Sequence, residues 1–235
     1  MSGILRILGY HKIGPPSPSA WETWYYVPTA TFVRQMTQLR DGGWKVISEQ
    51  SLRRALASPE TLPERAVMIT FDDGYTSVLH HAAPVLRRFN FPAMVFVPTH
   101  YIGGGSTFDA NTREPVEPIC SWQELHELEI AGICVESHGA SHKTFSDLNA
   151  TQIESELRDS KVDLERGLNK TIGFHAYPYD DPGRDPEQTD ATLKHLGYQA
   201  ALQFTGGACA WPPANPYHLT RIPVWPDTDL TKELG

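Results

Sequence analysis

Short apolar runs alternate with amphipathic stretches along almost the whole chain, and no other feature of the sequence constrains the fold as strongly. The run Ala66–Phe71 has the continuous apolar character of a buried strand, and residues 78–89 follow it with helical spacing. About seven such units recur, which is typical of a mostly parallel sheet with crossover helices. The chain is therefore predicted to be an α/β protein. The predicted strands are residues 4–10, 44–47, 66–71, 93–97, 133–136, 174–177, 200–204 and 218–224.

Two architectures satisfy this alternation, a doubly wound sheet and a closed barrel. A dinucleotide-binding doubly wound fold carries a glycine-rich turn after its first strand. Here the first predicted strand continues into Gly9-Tyr-His-Lys12 and then into proline-rich sequence. We therefore favour a barrel, in which the polar residues directly after each strand gather at one mouth. No linker separates regions of different composition, so a single domain covering residues 1–235 is expected.

Charge and cysteine content narrow the classes of partner. The chain has 28 acidic and 20 basic residues and a formal net charge of −8. An acidic surface disfavours binding to a phosphate backbone, so no nucleic-acid partner is expected. No apolar run approaches the ~20 residues of a membrane-spanning helix, so no membrane span is expected. Cys120, Cys134 and Cys209 are odd in number and widely spaced, which is more typical of buried thiols in a reducing compartment than of a disulfide framework.

The amino-terminal residues bear on localisation. They contain no apolar core of signal-peptide length and no small-residue cleavage site, because the apolar run breaks at Gly9. If Met1 is the native start, we expect a cytoplasmic protein. If a signal peptide has been removed from a longer precursor, we expect an extracytoplasmic one.

Two adjacent carboxylates follow the clearest predicted strand. Asp72 and Asp73 come directly after it and precede Gly74. Two anions held together without a cation repel each other and raise one of the two pKa values. In a purely structural explanation, one aspartate caps the helix that follows and the other is solvated. A bound cation would explain it by function.

Histidines lie at equivalent positions after other predicted strands. His138 and His142 follow the strand at residues 133–136, and His11 follows the first strand. Gly139 follows His138, whereas a zincin helix has a glutamate at that position. The three residues between the histidines are Gly-Ala-Ser, which indicates a loop. One carboxylate and two imidazoles suit a zinc-like ion that keeps open positions. A second, adjacent carboxylate is then suited to accept a proton from water, so we favour a hydrolytic metal site.

Three motifs together resemble those of a known family. Thr70-Phe-Asp-Asp-Gly74, the His138–His142 pair and Tyr177-Pro-Tyr179 are similar, in order, to the first three motifs of the polysaccharide deacetylases, the NodB-type carbohydrate esterases of family 4. Residues 43–48 and 91–97 also resemble that family, so the likeness covers nearly the whole chain. The resemblance implies a distorted (β/α)7 barrel of the TIM-like kind. It also implies an enzyme that removes N- or O-acetyl groups with one divalent metal ion.

The same resemblance implies roles for individual residues. Asp73, His138 and His142 are expected to bind the metal, which we expect to be Zn²⁺, with Co²⁺ or Ni²⁺ as alternatives. Asp72 is expected to be the catalytic base. The backbone N–H of Tyr179 is expected to donate to the oxyanion and to contact substrate.

The chain also departs from the usual family pattern. Ala176 stands where the third motif carries an arginine, and no histidine follows His218 in the position of the usual general acid. The opening Leu8-Gly-Tyr-His11 instead resembles the branch of poly-β-1,6-N-acetylglucosamine deacetylases, in which the acid histidine follows the first strand. Arg221-Ile-Pro-Val224 resembles the end of that branch. We therefore expect His11 to be the general acid and Arg221 to orient Asp72.

Aromatic residues in two loops are candidates for binding sugar rings. Trp24 lies in the proline-rich loop after the first strand, and Trp211 lies after a late strand. Both are expected to contact an N-acetylated oligosaccharide or polysaccharide, although a hydrophobic plug would use the same residues. The leading function is N-deacetylation of amino sugars. The alternatives are an O-acetyl esterase, a cyclic-amide amidohydrolase and a carbohydrate-binding module whose catalytic site has decayed.

Overall fold

Strands and helices alternate along the chain as the sequence predicts. The computed structural model describes residues 3–109 and 113–235. In these residues the strands are β1 (Gly3–Tyr10), β2 (Lys12–Ile13), β3 (Tyr26–Val27), β4 (Lys45–Val46), β5 (Ala66–Phe71), β6 (Ala93–Val97), β7 (Ile133–Ser137), β8 (Phe174–Ala176), β9 (Ala200–Gly206), β10 (Cys209–Trp211) and β11 (Leu219–Pro223). The α-helices are α1 (Thr29–Asp41), α2 (Glu49–Ala57), α3 (Ala83–Phe89), α4 (Trp122–Ile130), α5 (Ala150–Leu168), α6 (Pro186–His195) and α7 (Leu230–Leu234).

Parallel strands close into a barrel. Within the described residues the ring has seven strands in the order β1, β5, β6, β7, β8, β9 and β11, and β11 pairs back to β1. The closing pair β1–β5 runs in register from Arg6 opposite Val67 to Tyr10 opposite Phe71. β4 adds to the sheet beside the start of β5, and β10 pairs antiparallel with the start of β1. The predicted (β/α)7 barrel is confirmed, and the doubly wound alternative is wrong because the sheet closes.

Successive residues of the strands face two apolar clusters. In β5, Val67, Ile69 and Phe71 pack in the larger cluster, which also contains residues of the surrounding helices. Met68 packs in the second cluster together with Phe96 of β6. This alternation has the period of two of a strand, and burial of each such apolar side chain contributes ~1.5–3 kcal/mol. Both clusters stabilise the barrel wall below the mouth.

The helical segment after β5 differs from the single predicted helix at residues 78–89. Val78–Ala82 forms a π-helical turn, and α3 begins only at Ala83. Pro84 has no N–H, and in a regular α-helix its ring would clash with the carbonyl group of His80. The wider turn, in which the N–H of Ala83 bonds to the carbonyl of Val78, accommodates the proline.

The longest helix, α5, packs one face against the barrel. Its buried residues include Ile153, Leu157 and Leu164, and Glu156 lies on the same buried face. The helix begins with a capping box, in which the side chains of Asn149 and of the third helical residue each accept the other's backbone N–H. Among the helices that the structure describes, none combines the length and the apolar character needed to cross a membrane.

Candidate metal centre and active site

A histidine follows the carboxyl end of β1 and two aspartates follow that of β5, at the barrel mouth. The parallel pairing of these strands brings His11 beside the residues that directly follow β5. There the Asp72 N–H donates to the Tyr10 carbonyl over 2.9 Å. Asp73 and Gly74 then turn the chain in the left-handed region, each with φ of 71°. This turn separates the two carboxylates, so that Asp72 and Asp73 meet different partners.

Asp73 meets the two predicted histidine ligands. Its Oδ1 lies 3.4 Å from Nε2 of His138 and 3.1 Å from Nε2 of His142. The three ligand atoms lie within 4.8 Å of one another, and all three residues are buried. Nδ1 of His138 lies 2.7 Å from the Ala176 carbonyl, so the ring donates there and keeps Nε2 free to bind a metal.

The donor set fits a divalent cation. Asp73 Oδ1 is buried and has no hydrogen-bond partner in the described part of the chain, although two imidazoles face it. One carboxylate oxygen and two imidazole nitrogens are ligands that Zn²⁺ prefers, and three protein ligands leave open positions. Burial raises the pKa of Asp73, but the imidazoles of His138 and His142 that face its carboxylate hold it well below its ordinary value. The carboxylate is therefore ionised and suited to bind a cation.

Asp72 is paired with Arg221 on β11. The guanidinium donates from Nη1 to Oδ1 and from Nη2 to Oδ2, each over 2.8 Å, and both side chains are buried. Arg221 is itself held by the Gln203 carbonyl and by the Thr70 hydroxyl. Burial raises the pKa of Asp72, but Arg221 and His138 outweigh that effect and hold it below its ordinary value. The predicted contact between Arg221 and Asp72 is present, and its catalytic role stays a prediction.

His11 lies between two aromatic rings at the mouth. Its ring centroid is 4.7 Å from those of Tyr25 and Phe204, and its buried Nδ1 has no hydrogen-bond partner in the described residues. Burial lowers the pKa of His11, and the nearby Asp73 and Asp72 carboxylates offset only part of that effect. A protonated His11 would therefore be a stronger acid than an ordinary imidazolium. Its role as general acid stays a prediction.

The turn after β8 carries Tyr179. Tyr179 and Asp180 have φ of 55° and 62°, in the left-handed region that non-glycine residues rarely adopt. The Asp180 carboxylate accepts the N–H of Phe204 over 2.6 Å, which fixes the turn against β9. The Tyr179 ring packs 4.7 Å from that of His142, and its hydroxyl donates to Asp109 over 3.3 Å. Its role as an oxyanion donor stays a prediction.

A cavity of about 580 Å³ opens above these groups. Trp24, 56% exposed, lies on its rim and packs against Trp225, with ring centroids 4.4 Å apart. The cavity contains the predicted catalytic base, general acid and metal ligands, together with Tyr179. Its lining residues are His11, Lys12, Trp24, Tyr25, Asp72, Asp73, Tyr75, Asp109, Arg113, Glu114, His138, His142, Tyr177, Tyr179, Asp180, Phe204, Thr205 and Trp225.

The prediction that Trp211 binds substrate is wrong. Trp211 is 3% exposed and sits opposite Gly3 in the antiparallel pair of β10 with β1. That register puts it at the amino-terminal end of the barrel, away from the mouth, where its indole N–H donates to the Pro59 carbonyl. Trp211 packs in the second apolar cluster and is a core residue.

Several residues of the site were missed by sequence reasoning. Lys12 is buried, lines the cavity and pairs with Glu114 over 2.8 Å. Trp225 directly follows the Arg221–Val224 motif, so its position beside that motif was an available signal. Glu156 binds the loop between the two histidines from α5, and no local pattern marks it.

Comparisons with known proteins identify the family to which the chain is similar. A family model described as Polysaccharide deacetylase matches residues 60–201. The YxkH protein of Bacillus subtilis is 28% identical over 206 residues, which cover 88% of this chain and 66% of that protein. The poly-β-1,6-N-acetyl-D-glucosamine N-deacetylase of Escherichia coli K12 is 32% identical over 43% of this chain and 16% of that protein. The chain thus spans less than two thirds of the length of either curated relative.

Solved structures agree with the fold. The deacetylase PplD of Streptococcus pyogenes, solved in complex with acetate, superimposes with a TM-score of 0.83 at 22% identity, covering 100% of both chains. IcaB of Ammonifex degensii superimposes with a TM-score of 0.80 at 24% identity, covering 96% of this chain and 93% of that one. At these identities the likeness establishes the shared barrel.

Proposed function

The chain belongs to the polysaccharide deacetylase family, and from this premise we propose that it is a metal-dependent hydrolase that removes acetyl groups from the N-acetylated amino sugars of a glycan or glycan precursor. One observation carries the proposal. Asp73, His138 and His142 converge on one point of the cavity floor, and beside them Asp72 is ionised and held by Arg221. That combination of a cation site and an oriented base suits hydrolysis of an acetamide.

Asp73, His138 and His142 would hold the ion, which we propose to be Zn²⁺, with Co²⁺ or Ni²⁺ as alternatives. When bound, a divalent cation polarises a carbonyl group and lowers the pKa of water. The Ala176 carbonyl keeps Nε2 of His138 turned toward Asp73, so the protein sets the ligand geometry in advance.

Asp72 accepts a proton from the attacking water. Each of its oxygens receives one bond from Arg221 and keeps a further lone pair for that proton. Because the guanidinium holds both oxygens, the carboxylate cannot rotate away during the reaction. The pairing also keeps Asp72 ionised, as a base must be.

Two further groups act on the tetrahedral intermediate. The Tyr179 N–H donates to the developing oxyanion from a turn that Asp180 fixes. The amine must gain a proton to leave, and His11 supplies it from its position on the cavity wall. Trp24 on the rim offers an aromatic face for a sugar ring.

Acetate release from a panel of substrates tests the proposal. The panel comprises chito-oligomers, a β-1,6-linked N-acetylglucosamine oligomer, acetylxylan and a nucleotide-linked N-acetyl sugar. We expect release from an N-acetylated substrate, loss of release after exhaustive chelation, and recovery on adding Zn²⁺. The Asp73→Asn variant is the matched control, because it replaces an anionic candidate ligand with a neutral side chain of the same shape and should keep the fold while weakening metal binding.

Other outcomes would overturn the proposal in different ways. Release from acetylxylan alone would indicate an O-acetyl esterase. Ring opening of a cyclic amide, followed as loss of that added substrate, without acetate release from any glycan would indicate an amidohydrolase. Carbohydrate binding without any release would indicate a binding module, and full activity after chelation would contradict metal dependence.

A further inference from the structure

The loop that carries the two histidine ligands has an unfavourable backbone. Gly139 and His142 have φ of 76° and 54°, so the loop enters and leaves its turn in the left-handed region. Glycine adopts this conformation readily, whereas a non-glycine residue such as His142 costs ~1–3 kcal/mol. A loop of this kind persists only if surrounding groups hold it in place.

Glu156 of α5 holds the loop from one side. Its Oε2 accepts the N–H of Ala140 over 3.0 Å and the N–H of Ser141 over 2.7 Å. Its Oε1 accepts the Ser141 hydroxyl. These three bonds fall on the two residues directly before the second ligand, His142. Glu156 is 9% exposed, so water competes little for them.

The loop carbonyls are held from the opposite side. The N–H groups of Thr99 and His100 donate to the carbonyls of Gly139 and Ala140 over 3.2 and 2.9 Å. The backbone of the turn is thus clamped between the segment after β6 and the Glu156 carboxylate. On the Glu156 side, a single side chain accepts two consecutive backbone N–H groups.

Glu156 itself stands outside the metal and substrate groups. It is absent from the set of described residues that could hold the ion and from the described lining of the cavity. Its helix is the longest in the described chain and packs through several apolar residues, so it is a firm anchor. A side chain that orients a ligand from outside the ligand set tunes metal affinity or activity. Because Glu156 is absent from the described cavity lining, we expect its effect to fall on metal affinity.

We propose that Glu156 is a positioning residue for the metal centre: by binding the Ala140 and Ser141 N–H groups, it holds His142 at the distance from Asp73 and His138 at which one cation can bind all three. This inference rests on the proposed metal-dependent function. It assigns Glu156 a role in metal affinity and none in proton transfer.

Zinc titration by calorimetry on purified metal-free protein tests the proposal. We expect Glu156→Ala to weaken Zn²⁺ binding by ~10–100-fold, since both N–H groups and the hydroxyl lose their acceptor. Glu156→Gln keeps an oxygen that accepts both N–H groups and should recover most of the affinity. Glu154→Ala is the matched control, because Glu154 lies on the exposed side of the same helix. This variant protein should bind Zn²⁺ with the affinity of the wild type.

Two further readouts separate positioning from a general loss of structure. The ligand-field absorption of Co²⁺ bound to Glu156→Ala should differ from that of the wild type, because His142 is less constrained. At saturating Zn²⁺ the variant should keep a kcat close to that of the wild type. If Glu156→Ala does not fold, Glu156→Asp carries the same test, since it withdraws the carboxylate by one methylene and keeps the charge.

The outcomes distinguish this inference from the function on which it rests. A wild-type protein that binds none of Zn²⁺, Co²⁺ and Ni²⁺ would contradict the proposed function. Wild-type Zn²⁺ affinity and an unchanged Co²⁺ spectrum in folded Glu156→Ala would overturn the positioning role alone. A Glu156→Gln loss as large as that of Glu156→Ala would overturn it too, because the hydrogen-bonding geometry would then not be what matters.

Discussion

Two buried carboxyl groups on the barrel, Asp72 at the mouth and Glu136 on β7, have pKa values shifted in opposite directions. Both are almost fully inaccessible to solvent, yet the pKa of Asp72 is lowered while that of Glu136 is raised to about 7. Asp72 receives two bonds of 2.8 Å from a guanidinium. Glu136 accepts the N–H groups of Gly173 and Phe174, and its nearest ammonium, that of Lys170, lies 3.7 Å away.

The difference teaches that the geometry of the partner, more than the depth of burial, sets the charge of these groups. Burial raises both pKa values, and at Asp72 the close bidentate guanidinium of Arg221, together with His138, reverses that effect. A carboxylate held as an anion is useful for chemistry. Glu136 titrates near neutral pH but is absent from the described lining of the cavity, so its titration affects stability instead. The predictions below test this contrast between the mouth and the wall.

Removing a metal ligand should have the largest effect. His138→Ala takes one of three ligands from the site, so we expect both the bound ion and the activity to be lost. The fold should survive, since the apolar clusters of the barrel do not include the ligand. Metal content, acetate release and circular dichroism measure the three outcomes. Glu136→Gln is the wall control and should retain wild-type metal content, and equal metal loss in the two variants would contradict the contrast.

Neutralising the base should have the next largest effect. Asp72→Asn should retain the metal and lower kcat by ~10²–10⁴-fold, because the proton acceptor is gone while the ligands are intact. Asp73→Asn should instead weaken metal binding. Metal analysis of both variants, with rates at saturating Zn²⁺, separates the two roles. If the two variants behaved alike in metal content, the assignment would be wrong.

Removing the proposed acid should have an effect that depends on the substrate. His11→Ala should retain the metal and lose ~10²-fold or more on an amide, whose amine needs a proton to leave. It should lose less on an aryl acetate, since a phenolate leaves without protonation. Rates on both substrates measure the difference. Equal losses would assign His11 a structural role.

Changing the wall carboxylate should have the smallest effect, on stability alone. A pKa raised from 4.5 to about 7 means that the folded state binds the proton more tightly than the unfolded state does. The stabilisation is present below about pH 4.5 and is lost as pH rises through 7, with a magnitude of the order of 3 kcal/mol. Glu136→Gln removes this titration, so its free energy of unfolding relative to wild type should rise with pH. Denaturant unfolding between pH 5 and 8.5, with chelator present, measures it. A difference that does not vary with pH would contradict the raised pKa.

Local sequence was sufficient for the strands of the barrel and for the convergence of the three candidate metal ligands. β5 has the predicted bounds, Ala66–Phe71, because a run this short, rich in β-branched residues and ended by two aspartates, is typical of a strand buried on both faces. The convergence of these candidate ligands could be predicted because Asp73 and His138 lie within two residues of the ends of parallel strands, and His142 lies in the loop that follows His138. Parallel strands of a barrel carry their carboxyl ends to one mouth. The π-helical turn before α3 was missed, since spacing alone does not distinguish a π-turn from an α-turn.

Contacts between distant parts of the chain depended on the tertiary structure. Trp24 and Trp211 both follow predicted strands, yet one lies on the rim and the other in the core. Only the antiparallel direction of β10 decides this, and direction has no local signature. Glu156 likewise reaches its loop because of how α5 packs on the barrel. Periodicity and strand ends depend on neighbouring residues and can be predicted from sequence, whereas strand direction and helix packing depend on which distant surfaces bury each other.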